Sequence, residues 1–389
     1  MTVNQKELRN ILVLSITFII TSFLVFAHFG VKNVSDSHRY LNYASDLQAG
    51  FYYDKHNFWY IGYIIFILIV RTLTGSHNEL ILIMAQYLYS FVGLIFLYRT
   101  IGIVAPNKPL SPLIVCLLYF LTFEIYIWNS YILCESFYYN NIVITLYFLA
   151  VTIILKKVNL LNITLTAFFI LLTFLSKPTG IVLGLSLGVT AFIMFWINSK
   201  TSKTTKSAIL IGGISIFSIL LNKMLETFLI IENYQLGEVV YGISTLPKRE
   251  IYNALIVPVP ELNTLPTNFP PLIRVFYFIS SNIYYWSLLF FKKLYYFLMH
   301  IRPYWSLKHN IYNLTILAII YTSTLRQIFH SNFSLRIFSI TYIGLHSLVV
   351  GITTVDWDGR FFLPLFPVLL ILSAQGMAGL KIPLTKRQP

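Results

Sequence analysis

The residues best suited to chemistry lie in four short polar patches between long apolar runs. In the first patch, residues 34–47, Asp36 is followed three positions later by Arg39. Residues at this spacing share one side of a helix, so the pattern predicts a carboxylate beside a cation, with His38 and Tyr40 as neighbouring binding groups. Such a carboxylate suits a general base. The alternative is a helix capped by Ser35 or Asp36, with a local ion pair.

The second and third patches each place one charge in apolar sequence. Glu135 follows a long apolar run, and acids at a membrane edge are costly and usually functional. Glu135 is therefore a second candidate catalytic acid; the alternative is a structural hydrogen bond. Lys177 precedes Pro178 and Gly180, which predict a tight turn that exposes the ammonium to a phosphate. The alternative is a lysine that snorkels to lipid headgroups.

The fourth patch combines two acids with an arginine. Arg360 is suited to a bidentate phosphate contact. Asp356 and Asp358 form a D-x-D pair, a pattern that can hold Mg²⁺ or Mn²⁺, although capping by Asp358 and pairing with Arg360 are the favoured explanation. We assign no metal ligand and leave a divalent cation open. The sequence has no P-loop, dinucleotide fingerprint or nucleophile elbow, so ATP-driven transport and serine-type hydrolysis lack support.

The elements that carry these patches are apolar helices. Of 389 residues, 57% are hydrophobic and 11% are charged, whereas soluble domains carry about 25% charged residues. This composition predicts an all-α, polytopic transmembrane bundle of about ten spans, ten to twelve at most, in one domain over residues 1–389. The predicted spans are residues 11–29, 80–98, 110–128, 137–155, 160–176, 178–199, 207–222, 310–325, 337–355 and 361–380.

Charge predicts the orientation of these spans. Fourteen basic residues and one acid, Glu7, fall in six short loops, and the other thirteen acids fall elsewhere. The positive-inside rule places those loops and both termini in the cytoplasm, and all four patches outside, in a plasma membrane of bacterial type. The same partition explains the net charge of +14 without nucleic acid. The six loops are residues 1–10, 99–109, 156–158, 198–206, 326–336 and 381–389.

Two outer segments remain, residues 31–78 and 231–309. Within them, residues 58–70 are short for a span and residues 284–301 carry two central lysines, so both predict amphipathic helices at the outer interface. Five prolines make residues 257–272 an irregular loop, which we interpret as a lid or acceptor-contact loop or, equally, a plain connector.

Together the four patches resemble the C-type, membrane-embedded glycosyltransferases (the GT-C superfamily), in the branch of protein O-mannosyltransferases and lipid A aminoarabinose transferases. The resemblance covers the layout of most of the chain and four short stretches of residues. The matching residues are Asp36 with Tyr40 and Ala44, Ser130 with Glu135, Lys177 with Pro178, and Arg360 with Phe361, Pro364 and Pro367.

This resemblance implies a polyprenyl-phosphate sugar as donor, which needs no nucleotide site. It implies that Asp36 is the general base and that Lys177, Arg360 and Arg39 stabilise the leaving phosphate. The chain departs from the family in having Glu135 where Asp is commoner. The outer C-terminal domain of many members is also not found, which favours a lipid or glycan acceptor over a protein.

Two other functions fit parts of the sequence. A lipid-linked glycan polymerase or ligase would use arginines of the long outer segment, where Arg249, Arg274 and Arg302 are available. A lipid or solute transporter would show inverted repeats and intramembrane charges, whereas here no repeat is visible and the charges cluster at one predicted face.

Overall fold

The computed structural model describes residues 3–106, 111–228, 230–247, 250–330 and 333–377, and this part of the chain is almost entirely helical. β-Pairing among these residues is limited to isolated bridges. The all-α prediction is therefore confirmed. Four of the basic residues used to orient the chain, Lys108, Lys381, Lys386 and Arg387, lie outside the described residues.

The α-helices of the described residues follow one another as α1 (Val3–Phe29), α2 (Ser35–Ala49), α3 (Ile61–Thr74), α4 (Glu79–Val104), α5 (Ser111–Leu121), α6 (Phe123–Tyr126), α7 (Cys134–Ile153), α8 (Leu160–Ser176), α9 (Ile181–Asn198), α10 (Lys203–Leu225), α11 (Ile230–Gln235), α12 (Glu250–Asn253), α13 (Pro271–Ser281), α14 (Ile283–Met299), α15 (Leu307–His330), α16 (Phe333–Ile352) and α17 (Phe366–Met377). Short 3-10 turns precede several of them, including Asn57–Tyr60, Ile127–Ser130 and Pro178–Gly180.

Local sequence explains where several helices begin and end. Side chains of Asn78, Asn159 and Ser202 accept hydrogen bonds from backbone N–H groups in the first turns of α4, α8 and α10. These caps satisfy donors that a helix start leaves unpaired. At the other end of α3, Gly75 adopts a left-handed φ of 63°, a conformation that favours glycine.

Seven helices of the described residues are long and apolar enough to cross a membrane, which is compatible with an integral membrane protein. Six of them coincide with predicted spans. The seventh, Asn57–Thr74, contains the run that we expected to be too short. The helix begins one residue before that run and α3 continues four residues beyond it, which gives 18 residues in all. The argument from length was therefore wrong, because by length and composition this helix can span.

The four other predicted spans are not among the seven, although the helix Leu160–Ser176 has the predicted bounds. The run 110–128 is interrupted, because α5 ends at Leu121 and a short helix and a 3-10 turn follow. The runs 160–176 and 361–380 form the shorter apolar helices Leu160–Ser176 and Leu363–Gly376, and part of the latter run lies outside the described residues. The run 310–325 lies within α15, which is not among the seven.

The most enclosed of these seven helices is α7, which packs against α4 and α8. A buried polar network ties it to α4. Asn129 Oδ1 accepts hydrogen bonds from Ser90 and Ser136, both at 2.5 Å, and Asn140 Nδ2 donates to Ser90 at 2.8 Å. Buried hydrogen bonds between defined partners favour one arrangement of their members, so this network fixes the irregular segment that leads into α7.

Three isolated bridges connect distant segments at the ends of the helices. Lys32 pairs in parallel with Tyr131, which joins the start of the first outer segment to the start of α7. Val240 pairs in parallel with Val355, and Glu238 pairs in antiparallel fashion with Ile256. The Val240–Val355 bridge attaches the segment 231–309 to the loop that follows α16, where the fourth polar patch lies.

Candidate functional site

All four polar patches meet in one group of ionised side chains, here called the charged cluster: Asp36, Arg39, Glu135, Lys177, Asp356 and Arg360. Arg360 lies at its centre. Its Nε donates to Glu135 Oε1 at 2.8 Å, its Nη2 donates to Asp36 Oδ2 at 3.3 Å, and Nε lies 3.3 Å from Asp356 Oδ2. Residues far apart in sequence therefore converge on one guanidinium.

Lys177 joins the cluster through Glu135. Its Nζ donates to the same Oε1 at 2.9 Å, and Nζ lies 4.8 Å from the centre of the Phe361 ring. The predicted turn is present, since Pro178–Gly180 is a 3-10 turn. The predicted exposure was wrong, because the ammonium is buried. The turn packs so closely against the end of α8 that a Cβ on Gly180 would collide with the Thr173 carbonyl.

The other end of the cluster is open. Arg39 Nη2 donates to Asp36 Oδ1 at 3.3 Å and its Nη1 donates to Asn57 at 3.2 Å. The guanidinium also lies 4.8 Å from the ring centres of both Tyr40 and Tyr60. Burial lowers the pKa of Arg39, but the two tyrosines and Asp36 raise it, and the net pKa lies above that of an ordinary arginine. The predicted ion pair between Asp36 and Arg39 is present.

Exposure of the side chains falls steadily through the cluster. The exposed fraction is 38% for Asp36, 24% for Arg360, 4% for Lys177 and 0% for Glu135. Burial lowers the pKa of Arg360, yet the charges of Glu135 and Asp356 outweigh burial and raise it well above the usual value. The two carboxylates that we predicted together thus lie in different environments: Asp36 is accessible, and Glu135 is enclosed by two cations.

Two backbone features place Asp36 against Arg360. Lys32 N donates to Ser130 O at 2.9 Å and Ile132 N donates to Lys32 O at 3.0 Å, so the chain enters α2 directly beside the start of α7. The predicted cap was wrong: Val34 is the N-cap residue, and its N–H donates to Ser37 Oγ. Asp36 lies in the first turn instead, where the helix dipole favours a negative charge.

The loop that carries Arg360 is held by a buried arginine that sequence analysis did not connect to it. Arg302 is 1% exposed, and its guanidinium donates to the carbonyl oxygens of Asp356 and Trp357 at 2.6–3.2 Å. Gly359 then turns the chain with φ of 81°, and its Cβ position is occupied by the His300 ring. Arg302 acts on the site through the backbone. No local motif signals this, since the partners lie more than fifty residues away along the chain.

The two remaining predicted binding residues take different positions. Tyr40 is fully buried, its hydroxyl donates to Cys134 Sγ at 3.9 Å, and burial raises its pKa well above that of an ordinary tyrosine. His38 is exposed on α2, and among the described residues no contact joins it to the cluster. Sequence analysis did not predict two ring contacts of the cations, that of Trp128 with Arg360 and that of Phe361 with Lys177.

The D-x-D pair does not suit a divalent cation. One oxygen of Asp356 lies 3.3 Å from the Arg360 guanidinium, which competes with any metal for that carboxylate. Within the described ranges, no group of three or more His, Cys, Asp or Glu side chains is arranged to hold a metal ion. We therefore derive no step through Mg²⁺ or Mn²⁺.

The described arginines of the segment 231–309 are not members of the charged cluster. Arg302 is occupied by backbone carbonyls, and Arg274 Nη2 lies 3.8 Å from Glu232 Oε1. Arg249 lies outside the described residues. A polymerase or ligase that uses these arginines for catalysis thus gains no support from the two that are described.

Comparison with family models, with curated proteins and with solved structures yields no match to this chain. The functional argument therefore depends on the geometry of the charged cluster.

Proposed function

We propose that the chain is an inverting glycosyltransferase that moves a sugar from a polyprenyl-phosphate donor to a lipid or glycan acceptor at the outer face of the membrane. The observation that carries this proposal is the accessible Asp36 carboxylate held between the guanidinium groups of Arg39 and Arg360. A base beside two fixed cations matches a reaction in which a hydroxyl loses a proton while a phosphate gains charge.

The reaction needs one displacement. The acceptor hydroxyl transfers its proton to an Asp36 oxygen while the acceptor oxygen bonds to C1 of the sugar. The bond between C1 and the phosphate oxygen breaks, and its electron pair leaves with the polyprenyl phosphate. Attack opposite the leaving group inverts C1, and no nucleotide or metal is required by this sequence of steps.

Arg360 and Arg39 are the groups that bind the phosphate. Both contact Asp36 at 3.3 Å, which is long for a charge-assisted hydrogen bond. An arriving phosphate, with its own negative charge, can take over these donors and release Asp36 to act as a base. Arg360 keeps its shorter bond to Glu135, at 2.8 Å, and so stays in place during the exchange.

Glu135 and Lys177 act as positioning residues in this proposal. Their carboxylate and ammonium are buried and bonded to each other at 2.9 Å, out of reach of a substrate that contacts Asp36. Glu135 orients Arg360. Lys177 balances the negative charge that Glu135 adds to the cluster. This role differs from the one expected of Glu135 as a second catalytic acid.

The proposed membrane side can be tested by labelling. Both native cysteines, Cys116 and Cys134, are buried, so they contribute little background. Asp46→Cys should react with an impermeant thiol reagent added to intact cells, whereas Lys203→Cys should react only after permeabilisation. The reverse pattern at these two positions would place the charged cluster on the cytoplasmic side.

The activity itself is tested with purified protein, radiolabelled polyprenyl-phosphate sugars and a panel of membrane lipids and lipid-linked glycans. We expect one donor to transfer its sugar with release of polyprenyl phosphate and inverted anomeric configuration. Hydrolysis without an acceptor, retention of configuration, or no transfer from any donor would each contradict the proposal.

A further inference from the structure

A cavity of about 460 Å³ lies beside the charged cluster but is separate from it. It is enclosed by the end of α10, by α11, by the proline-rich loop before α13 and by the first turn of α13. One residue of the first outer segment, Lys55, completes the wall. Its volume falls in the range of small-molecule sites, about 300–1,000 Å³.

The side chains that line this cavity carry no net charge, since Lys55 and Arg274 are its cations and Glu226 and Glu232 its carboxylates. Arg274 Nη2 lies 3.8 Å from Glu232 Oε1, and Lys55 Nζ donates to the Glu226 carbonyl oxygen at 2.7 Å. The Glu226 carboxylate pairs with Lys223, which does not line the cavity. A phosphate site requires a surplus of cations or of directed N–H donors, so a lining without net charge favours an uncharged ligand.

The cavity nevertheless offers directed polar groups next to aromatic rings. Arg274 Nε is buried without a hydrogen-bond partner in the described part of the chain, and such donors are rarely left unpaired. Asn222 Oδ1 accepts from Leu272 N at 3.1 Å, which fixes its amide in the wall, and Asn268 lies on the facing loop. Phe228 and Phe269 add apolar surfaces. Hydroxyl groups beside a hydrocarbon face are the features of a sugar ring that this combination complements.

A chain of ring contacts links the cavity to the site of reaction. Phe228 lies 5.6 Å from the His56 ring, His56 stacks on Tyr60 at 5.9 Å, and the Arg39 guanidinium lies 4.8 Å from Tyr60. These contacts connect the lining residues Lys55 and Phe228 to the surroundings of Arg39 and Asp36. Neither Arg39 nor Asp36 lines the cavity, so a monosaccharide held by the lining does not contact Asp36.

We propose that the cavity binds an uncharged sugar unit of the acceptor, at a distance along the glycan from the hydroxyl that reacts at Asp36. This inference rests on the proposed function and specifies its acceptor as a glycan of several neutral units. The proline-rich loop then serves as one side of the acceptor site.

The test uses the full chain in lipid nanodiscs and fluorescently labelled chitotriose, maltotriose and mannotriose, with inorganic phosphate and phosphatidylglycerol vesicles as other probes. Phe269→Ala alters an exposed loop residue of the cavity, 42% exposed, and Phe276→Ala, at 65% exposed and outside the cavity, is its matched control. Arg274→Gln removes the unpaired donor.

We expect at least one neutral trisaccharide to bind saturably. Phe269→Ala and Arg274→Gln should each weaken it about tenfold, the effect of losing one good contact, and Phe276→Ala should leave it unchanged. Failure of all three trisaccharides to bind, displacement of the bound trisaccharide by inorganic phosphate or by phosphatidylglycerol vesicles, or equal binding by Phe269→Ala and Phe276→Ala would overturn the proposal.

Asp36→Asn separates this inference from the proposed function, because it should abolish transfer and leave trisaccharide binding intact. Trisaccharide binding without sugar transfer from any donor would refute the proposed function and leave the proposed sugar site in the cavity standing. Sugar transfer that depends on Asp36, with an acceptor KM unaffected by Phe269→Ala, would refute the proposed sugar site in the cavity and leave the proposed function standing.

Discussion

The two acids of the charged cluster share Arg360 as a partner but lie in different environments. Asp36 is accessible and makes two contacts of 3.3 Å, both to arginines. Glu135 is completely buried and makes contacts of 2.8 and 2.9 Å to an arginine and a lysine. Long contacts at an accessible group can be exchanged for a substrate, whereas a buried ion pair that loses one partner leaves an uncompensated charge. Mutations at the accessible end of the cluster, at Asp36, and at its buried end, at Glu135, should therefore have different effects on activity and stability.

The largest effect is expected at the buried end and on stability. Glu135→Gln leaves Lys177 as a buried charge without its carboxylate, and such a loss costs about 3–5 kcal/mol. We expect a strongly lowered unfolding temperature of the purified protein. The double variant Glu135→Gln with Lys177→Met should recover much of that loss. A single variant as stable as the unmodified chain would refute the difference between the two ends.

The next largest effect is expected at the accessible end and on rate. Asp36→Asn removes the base and should lower kcat by at least about 10²-fold, with unchanged expression and unfolding temperature. Asp46→Asn is the control, since Asp46 lies on the same helix, its carboxylate accepts a hydrogen bond from Tyr52, and it is not a member of the charged cluster. Equal losses in both variants would indicate a role of α2 in folding rather than catalysis.

A double-mutant cycle tests whether Arg360 and Lys177 act through their shared partner, Glu135. Arg360→Ala and Lys177→Ala should each raise the donor KM and lower kcat, and because both cations bond to one oxygen of Glu135, their combined effect should be non-additive. Arg360→Lys should restore only part of the activity, because a lysine cannot contact Asp36 and Glu135 together. Effects that simply add would show that the two cations act independently.

The smallest effects are expected from Arg39 and its exposed neighbour His38. Arg39→Ala removes a partly exposed ion pair, of the kind that contributes about 0–1 kcal/mol, so we expect a few-fold rise in donor KM without loss of stability. His38→Ala, at the exposed neighbour outside the cluster, should leave donor KM and kcat unchanged. A larger effect from His38 than from Arg39 would relocate the donor site.

Sequence alone predicted which residues belong to the charged cluster better than it predicted how deeply their side chains are buried. Asp36, Glu135, Lys177 and Arg360 could be selected because charges are rare in this chain and each lies at the end of an apolar run. The burial of Lys177 depends on close packing of a turn against α8, and the local sequence does not specify the neighbours that cover it. Periodicity and spacing report local structure, and burial is a property of the assembled bundle.

The same reasoning explains the other differences. The helix Asn57–Thr74 is longer than its apolar run because Asn57 and residues 71–74 are helical although most of them are polar. Asn57 accepts a hydrogen bond from Arg39 there. Arg302 was grouped with loop arginines because the carbonyl oxygens that it binds belong to a segment distant in sequence. In both cases a long-range contact determined the role of the residue.

The salt bridge between Glu135 and Lys177 also constrains how the protein is made. Lys177 lies at the tip of the hairpin formed by α8 and α9, and Glu135 begins the preceding helix. If the helices form in order of synthesis, the Glu135 carboxylate lacks this counter-ion until the hairpin has packed against α7. A partly synthesised chain that ends before Lys177 should be a substrate for membrane quality-control proteases.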